Sequence, residues 1–488
     1  MKPRDPKQEF EKLVEIIKDK HPDWDLDMLN LAYEFAKDAH EGQKRKSGND
    51  YIIHPVMTAQ FLTELGMDLK TIIAGLLHDV PEDTELTIDD VKKNFGKEVA
   101  SLVAGITKLG TLKYRGMERY AENLRKMFVA MSNDIRVIII KFADRIHNLE
   151  TLEYLPEDKQ TRIATESLEI YAPIADRLGI AKIKGELEDL SFKYVYPKEY
   201  KWIKEIIPKK YKEKERYLEK VRKKVSKNLL KNGIALENIA IQGRTKHLYS
   251  LYKKLIRPTI NRDLSKVYDL IALRIIVPNV ADCYSALGIL HNMYKPVPSK
   301  VKDYIAQPKP NGYQSLHTAV FSDNGEIAEF QIRTQNMHDE AEFGIAAHWN
   351  YKENKGEINK SSTKWIKELV QWQKKIQDNE QFLRDIKLDI FQNRIFVFTP
   401  TGDVIDLPDG STPIDFAYHV HSGIGNQCVA AKVNDQMVSL NSKLKSGDII
   451  EITTDKNRKS PSIDWIESVK TSMAKTKIKA ALNKLKKQ

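Results

Sequence analysis

Ala74-Gly75-Leu76-Leu77-His78-Asp79-Val80-Pro81-Glu82-Asp83-Thr84 opens as an apolar helix, continuing Ile72 and Ile73, and ends in four side chains that handle metals or protons. A His-Asp pair at the end of a buried helix is costly, because a carboxylate taken out of water is destabilised unless a cation or hydrogen bonds compensate it. A divalent cation supplies that compensation directly. The competing reading is a solvated helix end, and the neighbouring segments decide between the two.

Upstream, residues 8–40 read as two helices, the second with Leu31, Ala32, Phe35 and Ala36 at core spacing. A basic Gly/Ser loop follows, Gly42-Gln43-Lys44-Arg45-Lys46-Ser47-Gly48, and then Tyr51-Ile52-Ile53-His54-Pro55. Three cations beside a potential metal site offer a place for phosphates, the alternative being a solvated charged loop. His54 precedes a helix (Val56, Ala59, Leu62), at a junction from which a ligand is easily aimed inward. Downstream, Val137-Ile138-Ile139-Ile140-Lys141-Phe142-Ala143-Asp144-Arg145-Ile146-His147-Asn148 ends an apolar helical run on Asp144, with Asn148 on the same face four residues on. His54, His78, Asp79 and Asp144 make a mixed N/O set that suits Mn²⁺, Fe²⁺ or Zn²⁺ better than Ca²⁺. Glu82 and Asp83 would orient or deprotonate a water beside such an ion. His147 reads as an exposed or structural histidine rather than a fifth ligand.

The totals set the frame. A chain of 488 residues is expected to hold three or more domains. Its net charge of +11 favours anionic partners such as nucleotides, RNA or phosphate-rich substrates. Cys283 and Cys428 form no metal or disulfide pattern, in keeping with a reducing compartment. No signal-peptide core or membrane-length apolar run is present, so a cytoplasmic protein with no membrane partner is expected.

Residues 198–231 are Lys/Glu-rich and read as a solvated helical connector ending at Asn232-Gly233. Beyond it the pattern changes to strands. Tyr268-Asp269-Leu270-Ile271-Ala272-Leu273-Arg274-Ile275-Ile276-Val277 reads as a buried strand. In Glu326-Ile327-Ala328-Glu329-Phe330-Gln331-Ile332-Arg333, Glu329, Gln331 and Arg333 share one face. Asp269 and Glu329 on one sheet could hold Mg²⁺ between them and a triphosphate. Between the strands a Pro/Gly/Asn loop, 302–317, presents Tyr313, suited to stacking on a base.

These words together resemble the Rel/SpoT alarmone synthetase–hydrolases, within the HD-domain phosphohydrolases. The carriers are Arg45-Lys46-Ser47-Gly48, His78-Asp79 with Glu82-Asp83-Thr84, Phe142-Ala143-Asp144-Arg145-Ile146-His147-Asn148 and Tyr171-Ala172-Pro173-Ile174-Ala175-Asp176-Arg177-Leu178-Gly179. The second group is Gly243-Arg244-Thr245-Lys246-His247-Leu248-Tyr249-Ser250 and Asn311-Gly312-Tyr313-Gln314-Ser315-Leu316-His317. The resemblance implies a multidomain α+β protein: an all-α HD-domain hydrolase (1–197), a mixed α/β nucleotidyltransferase-like synthetase with its helical connector (198–352), a helical linker (353–392) bearing Trp365 and Trp372, a β-grasp TGS domain (393–455) and a basic helical tail (456–488). It implies Mn²⁺ on His54, His78, Asp79 and Asp144, with Glu82 and Asp83 catalytic and Arg45, Lys46, Ser47 and Asn148 on the nucleotide. It implies Mg²⁺ on Asp269 and Glu329, with Glu329 the base on the 3′-OH. Tyr313 would stack on guanine, and Arg244, Lys246, Ser250, Lys254, Lys302, Lys309, Gln314 and His317 would contact nucleotide.

The implied activities are transfer of pyrophosphate from ATP to the 3′-OH of GDP or GTP, and hydrolysis of (p)ppGpp back to GDP or GTP by a metal-activated water. Both running at once would be a futile cycle, so reciprocal control through residues 172–230 is expected. In the TGS-like part, His421 matches a residue that reads deacylated tRNA in ribosome-associated members, the alternative being a structural histidine. There are departures. Pro81 stands where the family carries a helix-compatible residue, Asn49-Asp50 replaces a more usual acidic-Pro pair, and Lys300 replaces an Arg in Ser299-Lys300-Val301-Lys302-Asp303. If the helix ran on through Pro81, Glu82 and Asp83 would be re-aimed and the hydrolase weakened. A synthetase-dominant enzyme and a tRNA- or ribosome-binding sensor are therefore the competing readings. Zinc-binding and ACT modules usual in long members have no counterpart up to residue 488, which leaves a short protein and a fragment both open.

Overall fold

The computed structural model describes residues 4–110, 117–234, 240–267, 270–309, 311–347, 366, 370, 394–458 and 460–485. The chain divides into two compact units, Met1–Lys374 and Lys375–Gln488.

The first unit begins with helices only: α1 (Pro6–Lys20), α2 (Asp27–Ala39), α3 (Ile53–Glu64), α4 (Leu69–Leu77), α5 (Val80–Asp83), α6 (Ile88–Gly110), α7 (Met117–Asn133), α8 (Arg136–Glu150), α9 (Glu157–Glu166), α10 (Ala172–Arg177), α11 (Ala181–Val195) and α12 (Pro197–Lys231). Asp5 and Asp68 cap α1 and α4 by accepting from the backbone N–H of Lys7 and Thr71. Every residue of α4 from Thr71 to Leu77 is buried, as its unbroken apolar run requires. Gly75 lets α4 lie close on α3: a Cβ there would stand 2.5 Å from Leu62 Cδ1. In α2 the core positions are Leu29, Ala32, Tyr33 and Ala36, whereas Leu31 is 47% exposed. Ala32 and Ala36 face the core as expected and Phe35 is half-buried, while Leu31 turns outward and Leu29 and Tyr33 complete the inward stripe.

The helix does not run through Pro81. It stops at Leu77, and α5 restarts at Val80 with Pro81 in its first turn. A first-turn residue needs no N–H partner, so proline fits there at little cost.

The mixed sheet of the same unit contains β1 (Ala240–Thr245), β2 (Ile271–Val277), β3 (Lys295–Pro296), β4 (Lys302–Asp303), β5 (Leu316–Phe321) and β6 (Ile327–Thr334), with α13 (Leu248–Leu255), α14 (Val280–Met293) and α15 (Gln335–Phe343). The strand order is β1-β2-β6-β5-β3, with β4 on β5; β2 and β6 run parallel and the other pairs antiparallel. Ala328, Phe330 and Ile332 of β6 enter the core beneath the sheet, so Glu329, Gln331 and Arg333 take the opposite face.

The connector departs from the solvated helix expected of it. Helix α12 is not solvated along its length: Leu218, Val221, Val225 and Leu229 are buried in the core under the sheet, and Ile203 in a second cluster with Leu251 and Leu255. Their spacing of three and four residues makes one apolar stripe among the lysines. The 353–363 linker and the helix expected around Trp365 and Trp372 lie outside the described residues.

The second unit carries the hairpin β7 (Arg394–Phe398) and β8 (Val404–Pro408), α16 (Pro413–Val420), α17 (Ser422–Gln427), strands β9 (Cys428–Val433), β10 (Gln436–Val438) and β11 (Ile450–Thr454), and α18 (Trp465–Ser468) and α19 (Ser472–Leu485). Thr412 and Asp415 form a capping box at the start of α16. A parallel bridge from Phe398 to Ile449 joins the hairpin to the second sheet. Among the described residues no helix is long and apolar enough to cross a membrane.

Candidate functional site

Three helix segments bring the first centre together. His54 sits in the first turn of α3, His78 caps α4, and Asp144 lies within α8, all at most 4% exposed. Their ligand atoms lie within 4.8 Å of one another. Asp79 closes the group, its oxygens 3.1 Å from His78 Nε2 and 3.5 Å from His54 Nε2. Asp144 Oδ1 is 3.2 Å from His54 Nε2.

The chemistry of this set fits a divalent cation. His78 Nδ1 donates to the Gly75 carbonyl at 2.7 Å, which fixes its proton there and leaves the Nε2 lone pair facing the cluster. That buried Nε2 has no hydrogen-bond partner and faces a carboxylate oxygen, an arrangement a cation between them would resolve. His54 is oriented in the same manner, its Nδ1 2.7 Å from His147 Nδ1. Burial pushes His147 down to about 2, with His54 and Arg45 adding to the effect, so its ring is neutral and can accept. His147 is therefore structural, and buried rather than exposed.

Burial works against ionisation of Asp79 and Asp144. His78 and His54 nevertheless hold Asp79 below the usual carboxylate range, and Lys141 and His54 hold Asp144 well below it. Glu82 behaves oppositely: burial pushes its carboxyl up to about 7. It can therefore exchange a proton near neutrality. Asp83 accepts Tyr51 Oη at 2.7 Å, and the same hydroxyl lies 3.0 Å from Asp79 Oδ2. Arg45 reaches inward to Asn148 Oδ1 at 2.6 Å, and Asn148 in turn donates to Asp144; Lys46 is exposed and Ser47 half-buried on the loop above. Tyr51 and Lys141 were not singled out from the sequence, although Lys141 stands one helical turn before Asp144.

The second centre lies on the open face of the mixed sheet. A cavity of about 220 Å³ is lined by Lys309, Tyr313, His317, Gln331 and Arg333, among others. Tyr313 Oη is 2.7 Å from His317 Nε2, and Lys309 Nζ lies 5.0 Å above the Tyr313 ring. Burial, opposed by Asp176, lowers the pKa of Lys309. Lys302 pairs with His317 across β4 and β5, and Gln314 donates to the Ile305 carbonyl at 3.2 Å, which holds the loop. Glu329 sits on β6 two residues before Gln331, opposite Ala272. Asp269 and the Arg244 side chain lie outside the described residues. Lys246, Ser250 and Lys254 lie beside β1 and on α13, and Ser250 Oγ donates to Glu188 of α11.

One wall of this cavity comes from the helical part. Asp176, Gly179 and Ala181 line it, and Ile345 N donates to Leu178 O at 3.2 Å. No sequence pattern placed that turn beside Tyr313. In the second unit, His421 is exposed and its Nδ1 accepts Gly423 N at 3.0 Å as the N-cap of α17.

The helical bundle with its buried His/Asp cluster, the mixed sheet with its polar cavity, and the small β unit define a multidomain α+β protein with two separate polar centres. Family models match each part: an HD domain over residues 32–181, a region found in RelA / SpoT proteins over 243–356, and a TGS domain over 395–454. The bifunctional (p)ppGpp synthase/hydrolase SpoT of Escherichia coli K12 is 45% identical over 482 residues, covering 98% of this chain and 68% of that protein. The chain belongs to the RelA/SpoT family. A GTP pyrophosphokinase of Myxococcus xanthus is 49% identical over 465 residues, covering 94% of the chain and 61% of that protein. A guanosine-3′,5′-bis(diphosphate) 3′-pyrophosphohydrolase of Aquifex aeolicus is 50% identical over 457 residues, covering 93% and 64%. The chain thus spans a little over three-fifths of the length of these last two relatives. Among solved structures, the small alarmone synthetase 2 of Bacillus subtilis aligns at 28% identity with a TM-score of 0.23, covering 36% of this chain and 92% of that one.

Proposed function

We propose that the chain makes and destroys (p)ppGpp: it transfers pyrophosphate from ATP to the 3′-OH of GDP or GTP, and hydrolyses the product to GDP or GTP plus pyrophosphate. The observation that carries this reading is the presence in one unit of two separate polar centres, the buried His54/His78/Asp144 cluster and the Tyr313 cavity.

In the hydrolase centre His54, His78, Asp79 and Asp144 would hold Mn²⁺, which when bound supplies Lewis acidity towards water and phosphate oxygens. Glu82 takes a proton from the attacking water, and Asp83, held by Tyr51, orients it. The new O–P bond forms as the bond to the ribose 3′ oxygen breaks, and the proton held by Glu82 passes to that oxygen. Arg45, Lys46, Ser47 and Asn148 receive the nucleotide. Pro81 in the first turn of α5 argues against the synthetase-dominant reading, since nothing there has to be re-aimed.

In the synthetase centre Asp269 and Glu329 would hold Mg²⁺. Glu329 accepts the 3′-OH proton as that oxygen bonds the β-phosphorus of ATP and AMP leaves. Tyr313 stacks on the guanine, while Arg244, Lys246, Lys254, Lys302, Lys309 and His317 carry the phosphates. In the same reading the protein works in the cytoplasm, and His421 meets a deacylated tRNA on the ribosome.

The synthetase half is tested with Mg²⁺, ATP and GDP. Tyr313→Ala is expected to raise the KM for GDP by about 5–150-fold, the equivalent of roughly 1–3 kcal/mol of stacking, with little change for ATP. If the unaltered chain yields no AMP and no ppGpp, the second domain is a nucleotide sensor and the protein a hydrolase alone.

A further inference from the structure

Asp144 has two carboxylate oxygens, and its neighbours treat them differently. Oδ1 faces His54 Nε2 at 3.2 Å and takes the Asn148 side-chain amide. Oδ2 is turned away from the imidazoles and takes Lys141 Nζ at 2.5 Å. Lys141 precedes Asp144 by three residues on α8, so the two side chains leave the same helix face. Its side chain is only 15% exposed. An ammonium buried beside a cation-binding cluster is unfavourable unless a fixed anion holds it.

We propose that Lys141 is a positioning residue for the metal centre, tying down Asp144 Oδ2 so that Oδ1 alone is presented to the ion. This rests on the reading of His54, His78 and Asp144 as a divalent-metal site. Two effects of the lysine oppose each other. Its charge repels a metal cation, so loss of charge alone would tighten binding. Its hydrogen bond fixes the ligand, and loss of such a partner weakens binding by about 10–100-fold. With Oδ2 free, the Asp144 carboxylate can rotate away from the geometry that His54 and His78 share, so the positioning effect wins.

The opposed signs make the test decisive. Mn²⁺ binding to the purified full chain is followed by the paramagnetic resonance signal of the free ion, with circular dichroism as the check on folding. Lys141→Met is expected to weaken Mn²⁺ binding about 10–100-fold. Lys141→Arg, which keeps charge and donor, is expected to stay within a few-fold of the unaltered chain. If Lys141→Met does not fold, Lys141→Ala, which has neither the charge nor a donor, carries the same measurement. Binding by the neutral variant that equals or exceeds that of the unaltered chain overturns the proposal and makes Lys141 a charge balancer. Absence of Mn²⁺ binding in the unaltered chain, or binding untouched by His78→Ala, would instead overturn the metal reading itself.

Discussion

At the scale of single residues, the carboxyl groups of the first unit are sorted by what stands beside them. Asp79 and Asp144 have imidazoles and a lysine, and stay ionised; at Glu82 and Glu186 the nearby cations do not offset burial, which pushes each up to about 7. Glu186 lies on α11, outside both centres, so its titration reads out as stability. The folded state holds a proton that the unfolded chain releases near the ordinary value of 4.5. Its contribution is therefore complete below about pH 4.5 and is lost as pH rises through 7. Glu186→Gln removes this dependence. Its thermal midpoint is expected to exceed that of the unaltered chain by a few degrees at pH 8 and to match it near pH 4.5. A constant difference across that range would remove the assignment.

At the scale of elements, the break between α4 and α5 sets the His54/His78/Asp144 centre. Helix α4 packs on α3 through Gly75, whose carbonyl also receives His78 Nδ1. A methyl group at Gly75 meets Leu62, so Gly75→Ala is expected to cost roughly 1–3 kcal/mol by overpacking. Because His78 hangs from the same carbonyl, hydrolysis should fall while pyrophosphate transfer from ATP is kept. Equal loss of both activities would mean general damage. Much of this was legible beforehand: His54, His78, Asp79, Asp144, Glu82 and Asp83 do converge in the structure, as their placement at helix ends and on an apolar helix implied. The position of Pro81 was not legible, since a proline in a helical pattern fits either a kink or a fresh first turn. Nor was the burial of α12, where four apolar residues at three- and four-residue spacing were masked by the lysines around them.

At the scale of the whole first unit, the sheet part meets the helical part at the turn after α10, which lines the Tyr313 cavity, and α11, which follows that turn, packs on α8, the helix that carries Asp144. Gly344, at φ +53, lies so close to the Leu178 and Gly179 backbone that a Cβ would stand 2.5 Å from Gly179 C. Asp189 on α11 accepts Tyr249 N, and Glu188 takes Ser250 Oγ, which locks the start of α13 to the same helices. Such packing cannot be read from one sequence, because it depends on which loops meet across 130 and more residues (Asn311 with Asp176, 135 apart). It offers a route by which an occupied Tyr313 cavity alters the helices around Asp144. Adding GDP with a non-transferable ATP analogue is expected to change the rate of ppGpp hydrolysis, and Gly344→Ala to blunt that response. Identical rates with and without the nucleotides would argue that the centres work independently.

The central claim, two working centres in one chain, meets its most direct test in the hydrolysis of ppGpp with Mn²⁺ against a chelator control, resolved by anion exchange. The account predicts release of GDP and pyrophosphate that stops with chelator and in His78→Ala, while that variant still transfers pyrophosphate from ATP to GDP. No metal-dependent release from a chain that still carries out the transfer would contradict it, and would leave a synthetase alone.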